Sequence, residues 1–90
     1  MLAHNLEPMN DLGGGIHRTV ALLRLLATPD GRGLRLKDIA DAASLPRPTV
    51  HRLLASLMAE GLVERHAGAK AYRLGLNLFV LAARAANEPG

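Results

Sequence analysis

Cysteine is absent from this sequence, and its only aromatic residues are Tyr72 and Phe79. Without thiols there can be no disulfide framework, no thiolate nucleophile and no zinc ribbon. Two rings cannot supply the stacking platforms on which RNA and single strands are read. No apolar run approaches the roughly 20 residues needed to span a bilayer. The opening MLAHNLEPMNDLGGG also lacks the charged-then-apolar order of a secretory signal. A cytoplasmic protein with no membrane partner is therefore expected.

Other chemistry is missing as well. The four histidines, His4, His17, His51 and His66, show no metal-ligand spacing, so no metal site is expected. The Gly13-Gly14-Gly15 run has no strand before it and no Lys-Ser/Thr after it, unlike a phosphate-binding loop. With no convergent acid–base set and no cofactor motif, the chain does not read as an enzyme and calls for no cofactor.

What is present is a short apolar chain rich in Leu, Ala, Val and Ile, with an uneven charge distribution. Its 90 residues allow one domain with a modest core. The net charge is +3, and the excess lies between Gly31 and Arg73. Arg32, Arg35, Lys37, Arg47, Arg52, Arg65, Lys70 and Arg73 there face only Asp38, Asp41, Glu60 and Glu64. Such a field suits a polyanionic partner.

Residues 1–15 show neither helical nor strand periodicity and read as a flexible arm. Over 16–28, Ile16, Val20, Leu23, Leu26 and Ala27 share one face of a 3.6-residue period. Leu22 and Leu25 fall off that face, so either the helix is deeply buried or that second face meets a partner. Pro29-Asp30-Gly31 ends this helix, and residues 33–36 are too short for more than a strand stub.

The stretch at 36–61, LKDIADAASLPRPTVHRLLASLMAEG, holds two amphipathic patterns around a Ser44-Leu45-Pro46 break. Leu36, Ile39, Ala40 and Ala43 define the first, with Asp38 and Asp41 suited to its helix dipole. Residues 48–60 form the second, expected to bury Val50, Leu53, Leu54, Leu57 and Met58. Its outer side then carries Pro48, Arg52, Ala55, Ser56 and Ala59, flanked by Thr49 and His51. The small alanines leave that side smooth enough to enter a major groove, which is about 12 Å wide. This is a helix-turn-helix, with Gly61 as its left-handed cap.

Residues 62–66 and 71–74 flank Ala67-Gly68-Ala69-Lys70 and read as a hairpin. A hairpin behind a recognition helix is the wing of a winged helix. A last helix over 76–87 has one apolar face at Leu76, Phe79, Val80 and Ala83, suited to its own domain. A second face at Leu78, Leu81, Ala82 and Ala85 suits the first helix of another subunit. The fold class is thus mainly α, a winged helix-turn-helix with a three-helix core and two- to three-stranded sheet. It occupies 16–75, followed by a linker helix and tail at 76–90.

From 15 to about 83 the sequence resembles the N-terminal domain of the IclR family of bacterial transcriptional regulators. The resemblance is carried by LRLKDIADAASLPRPTVHRLLASLMAEGLVE and the later YRLGLNLFVLA. It implies control of transcription at the nucleoid, by a repressor or an activator, and dimers paired through the first and linker helices. It also implies a small-molecule effector bound by a further C-terminal domain. Pro48 departs from the family's usual small or polar residue there. The chain reaches Asn87-Glu88-Pro89-Gly90 where the effector domain should begin, which reads as an excised DNA-binding fragment; a short stand-alone repressor is the alternative.

The expected DNA contacts follow from position. Arg52 is the central cation of the outer face, suited to a phosphate or to bidentate contact with guanine. Thr49 and His51 lie where this motif reads bases, with Ser56 one turn further on and Pro48 between them and the turn. Arg47 at the turn and Lys37 on the preceding helix suit phosphates, as do Lys70 and Arg65 on the wing. The expected function is sequence-specific binding of double-stranded DNA by a homodimer, through Lys37, Arg47, Pro48, Thr49, His51, Arg52, Ser56, Arg65 and Lys70. Its dimer contacts are expected at Leu22, Leu25, Leu78, Leu81, Ala82 and Ala85. The competing reading is a winged helix used only for protein contacts.

Overall fold

A computed structural model describes residues 6–66 and 68–86. In chain order the elements are α1 (Leu6–Leu26), β1 (Leu34–Arg35), α2 (Leu36–Ala43), α3 (Arg47–Ala59), β2 (Val63–Arg65), β3 (Ala71–Leu74) and α4 (Leu76–Ala86). The three strands form one antiparallel sheet in the order β1-β3-β2. Three helices and this small sheet make a winged helix-turn-helix, and α4 follows the sheet.

The first helix departs from expectation in two ways. It begins at Leu6 rather than at 16, so residues 6–15 are helix and not a flexible arm. The remainder of the expected arm, 1–5, lies outside the described residues. Glycine costs about 1 kcal/mol per residue in a helix but keeps its backbone donor and acceptor, so Gly13 to Gly15 tax the helix without stopping it. Second, its inward face is rotated. Leu22 is fully buried and Leu26 nearly so, while Ile16 is 67% exposed. Leu22, Leu25 and Leu26 at offsets 0, 3 and 4 are as good a helical stripe as the one begun at Ile16. The packed core chose between them, and Leu22 is a core residue, not a dimer contact.

The core joins Leu22 and Leu26 to Ile39 and Ala40 of α2, Val50, Leu54 and Leu57 of α3, and Val63 and Tyr72 of the sheet. No polar or charged side chain is buried among the described residues, so this core is held by apolar burial alone. Leu36, Ala43, Leu45 and Leu53 pack around it, half-buried. Met58, expected inside, is 38% exposed. At about 100° per residue it stands roughly 80° from Val50, on the margin of the buried stripe.

Two tight stops set the angle of α3. After α2, Ser44 takes a left-handed conformation at φ 57°. Its N–H donates to the Asp41 carbonyl at 3.3 Å, and that of Leu45 to the Ala40 carbonyl at 3.1 Å. These bonds satisfy carbonyls a helix end otherwise leaves open. Pro46 at φ −62° then leads into α3, whose first intrahelical bond runs from the Val50 N–H to the Pro46 carbonyl. After α3, Gly61 at φ 74° repeats the device: its N–H reaches Met58 and that of Leu62 reaches Leu57.

Gly33 is required for a different reason. Its φ is 77°, and a Cβ there would collide with the Tyr72 carbonyl on β3. The turn before it is braced by Asp30, which accepts from the Arg32 N–H at 3.0 Å, and by Thr28, which accepts from the Gly33 N–H at 2.9 Å. The Arg32 bond first, and Thr28 after it, hold the Asp30 carboxyl below its usual range.

Candidate nucleic-acid interface

The side of α3 away from the core is formed by the residues that face outward once Val50, Leu54 and Leu57 are buried. Arg47, Pro48, His51, Arg52, Ala55, Ser56 and Ala59 are all exposed, and Thr49 is half-buried at the edge. The helix, of 13 residues, is about 20 Å long. It carries no acidic residue, and its N-terminus has no side-chain cap. The N–H groups of Arg47 and Thr49 therefore stand in the first turn, where unpaired donors and the dipole favour an anion. The cationic atoms lie in the N-terminal half of this surface, at Arg47 and Arg52, and the small side chains Ala55, Ser56 and Ala59 follow in its C-terminal half.

Lys37 is exposed on the first turn of α2, and Lys70 is exposed at the tip of the wing. Arg65 is held differently. It is the cross-strand partner of Tyr72, and its guanidinium lies 5.4 Å from the centre of that ring. An exposed cation on an aromatic face gains about 0.5–1 kcal/mol, so Arg65 is drawn back along the hairpin rather than extended from it. Arg73 lies 3.6 Å from Glu64, its own cross-strand partner.

The fold also gathers residues that sequence reasoning counted but did not place. Because β1 is the edge strand beside β3, Arg32 and Arg35 come alongside the wing. With Lys70, Arg73 and His66 they border an open concavity of about 960 Å³, also lined by Asp30 and Asp38. The signal available in the sequence was a pair of arginines flanking a strand stub. Their neighbours depended on strand order, which the sequence did not display.

Of the expected dimer residues, Leu25 is half-buried and lines a groove of about 500 Å³ between α1 and α2, with Arg18, Arg24 and Leu45. Helix α4 buries no residue. Leu78 is half-buried, and Leu81, Ala82 and Ala85 are exposed. The face expected to pack on its own domain does not do so: Leu76 and Phe79 are each 64% exposed, and Val80 and Ala83 are exposed too. The helix is joined to the domain at its first turn, so neither side of it lies along the core. Among the described residues no three potential metal ligands cluster, and no helix is long and apolar enough to cross a membrane.

This arrangement has counterparts among known proteins. Residues 15–67 match the family described as the IclR helix-turn-helix domain. Over 66 residues, 73% of the chain, the sequence is 44% identical to the glycerol operon regulatory protein of Streptomyces griseus. It is 41% identical over 66 residues to the protein of that name from Streptomyces coelicolor. The match covers 26% of each of those two proteins. In solved structures, 82% of the chain superposes on an IclR transcriptional regulator from Alicyclobacillus acidocaldarius, with a TM-score of 0.76 and 30% identity. A regulator of that family from Brucella abortus covers 79% of the chain with a TM-score of 0.69 and 30% identity. These superpositions take in 30% and 27% of the two regulators.

Proposed function

We propose, for a chain that belongs to the IclR family by its helix-turn-helix domain, that α3 reads specific double-stranded DNA in the major groove to regulate transcription. The observation that carries this reading is the outer side of α3: cationic at Arg47 and Arg52, small at Ala55, Ser56 and Ala59, and free of carboxylates along its length. Thr49, His51, Arg52 and Ser56 contact base edges, and Pro48 packs beside them. Lys37, Arg47 and Lys70 neutralise phosphates, and Arg65 joins them on release from Tyr72.

The active form is a homodimer. Leu25 of α1 and Leu78, Leu81, Ala82 and Ala85 of α4 form its contacts, supported by the large apolar surface α4 leaves open. Two recognition helices then meet half-sites one helical turn, about 34–36 Å, or a multiple apart. Repression is the expected direction of control, exerted on the nucleoid in the cytoplasm. The chain spans about a quarter of the curated relatives it matches, and a small-molecule effector belongs to a further domain of such a protein.

Titration of labelled duplexes across a salt series tests this reading. Affinity should fall steeply, with a log–log slope of about −0.9 for each phosphate neutralised. A flat response, or no binding to any duplex at low salt, would leave only the protein-contact role.

A further inference from the structure

We propose that Asn77 and Glu64 are positioning residues that fix the direction of α4 relative to α3, and with it the spacing of half-sites the dimer accepts. The spacing part rests on the dimeric DNA-binding reading above. The clamp itself rests on three hydrogen bonds at the first turn of α4.

The Leu76 N–H donates to Glu64 Oε2 at 2.9 Å, and the Asn77 N–H donates to the Gly61 carbonyl at 3.2 Å. The Asn77 side-chain amide donates to the Glu60 carbonyl at 2.9 Å. Two of the three bonds therefore end on the residue pair that terminates α3. A carboxylate at a helix N-terminus is also favoured by the dipole, and its first N–H groups need partners from outside the helix. Glu64 is steadied in turn by Arg73 across the hairpin. The joint has no slack: a Cβ on Gly61 would strike the Asn77 side chain, and one on Gly75 would strike the Gly61 carbonyl.

Apolar packing does not duplicate this hold, because α4 buries no side chain and Leu78 alone in it is half-buried. The helix acts as a lever. Its 11 residues extend about 16 Å. A turn of roughly 10° at the first residue moves the far end by about 3 Å, close to the 3.4 Å rise of one base pair. If α4 carries the dimer contact, a small change at Asn77 becomes a change of one base pair in preferred spacing. Half-site sequence, read by α3, stays as it was.

Two measurements test this. The chain has no cysteine, so spin labels can be placed cleanly at Asp41→Cys and Ala83→Cys, with the labelled protein diluted into unlabelled chain. The distance distribution should be narrow in the parent and clearly broader in Asn77→Ala and in the Glu64→Ala, Asn77→Ala double variant. Glu64→Gln, which keeps an acceptor for the Leu76 N–H, should stay narrow. Equal widths in parent and double variant would overturn the clamp. So would equal broadening of a core pair at Arg18→Cys and Asp41→Cys, because it would mean a general loss of fold.

In the second arm, duplexes with a randomised spacer are selected. The parent should enrich one spacing, whereas Asn77→Ala enriches the same half-sites over at least two further spacings. An unchanged single spacing would overturn the assignment. A parent that enriches no duplex would remove the DNA reading and the spacing claim with it, while the distance measurement still decides the clamp.

Discussion

Helix α3 buries Val50, Leu54 and Leu57, whereas the shorter and more apolar α4 buries nothing. The contrast shows that apolar content does not place a helix. In α3 the apolar residues form one stripe, and α1, α2 and β2 meet it. The other side is therefore left small, cationic and open. In α4 they run round most of the cylinder, and the domain offers only polar bonds at one end. Helix α3 is held by its core-facing stripe and leaves its outer side open. Helix α4 is held at its N-terminus and leaves its apolar sides open.

The largest test of this contrast is in the core. Leu54→Ala should cost about 2–5 kcal/mol of folding stability, because the side chain is fully buried and leaves a cavity. Leu81→Ala should change monomer stability by less than about 0.5 kcal/mol, since that side chain is 56% exposed. Urea titration of dilute protein separates the two, and equal losses would show that α4 packs on the domain. On the reading side, Arg52→Ala should cost about 1–3 kcal/mol of specific binding and relax preference at one base pair. Unchanged preference with a shallower salt slope would place Arg52 on the backbone instead.

Charge placed on α4 probes the pairing side. Leu81→Glu with Ala85→Glu should leave the circular dichroism of the fold unchanged and weaken the dimer at least tenfold by sedimentation, about 1.4 kcal/mol or more. Dimers persisting at the parent's strength would move the interface elsewhere. The smallest effect is expected at the turn that aims α3. Ser44→Gly should stabilise the domain by about 0.5–1 kcal/mol, because the left-handed conformation costs a residue with a Cβ and not glycine. No change in thermal midpoint would mean that Ser44 is unstrained there.

Much of this architecture was legible in the chain. The 3.6-residue stripe of Leu36, Ile39, Ala40 and Ala43 marked α2, which runs from Leu36 to Ala43. Val50, Leu54 and Leu57 gave α3 to within a residue, and Gly61 gave its stop. The hairpin arms at 63–65 and 71–74 fell inside the expected runs. These features are local: a repeat, a proline turn or a glycine acts within a few residues of itself.

Rotation, strand order and anchorage were not local. Leu22 and Ile16 are equally apolar, and only the surface offered by α2, α3 and the sheet decided that Leu22 turned inward. Arg32 and Arg35 met the wing because β1 pairs with β3 across a sequence separation of nearly forty residues. Asn77 is, with Arg84, one of two polar residues in the sequence of α4, and its partner, the Glu60 carbonyl, carries no side-chain signature at all. The sequence by itself determined the helix-turn-helix and the small outer face of α3, since periodicity and steric turns are properties of neighbouring residues. Only the tertiary structure decided which leucines became core and how α4 is held, because those depend on groups that meet after the chain has folded back on itself.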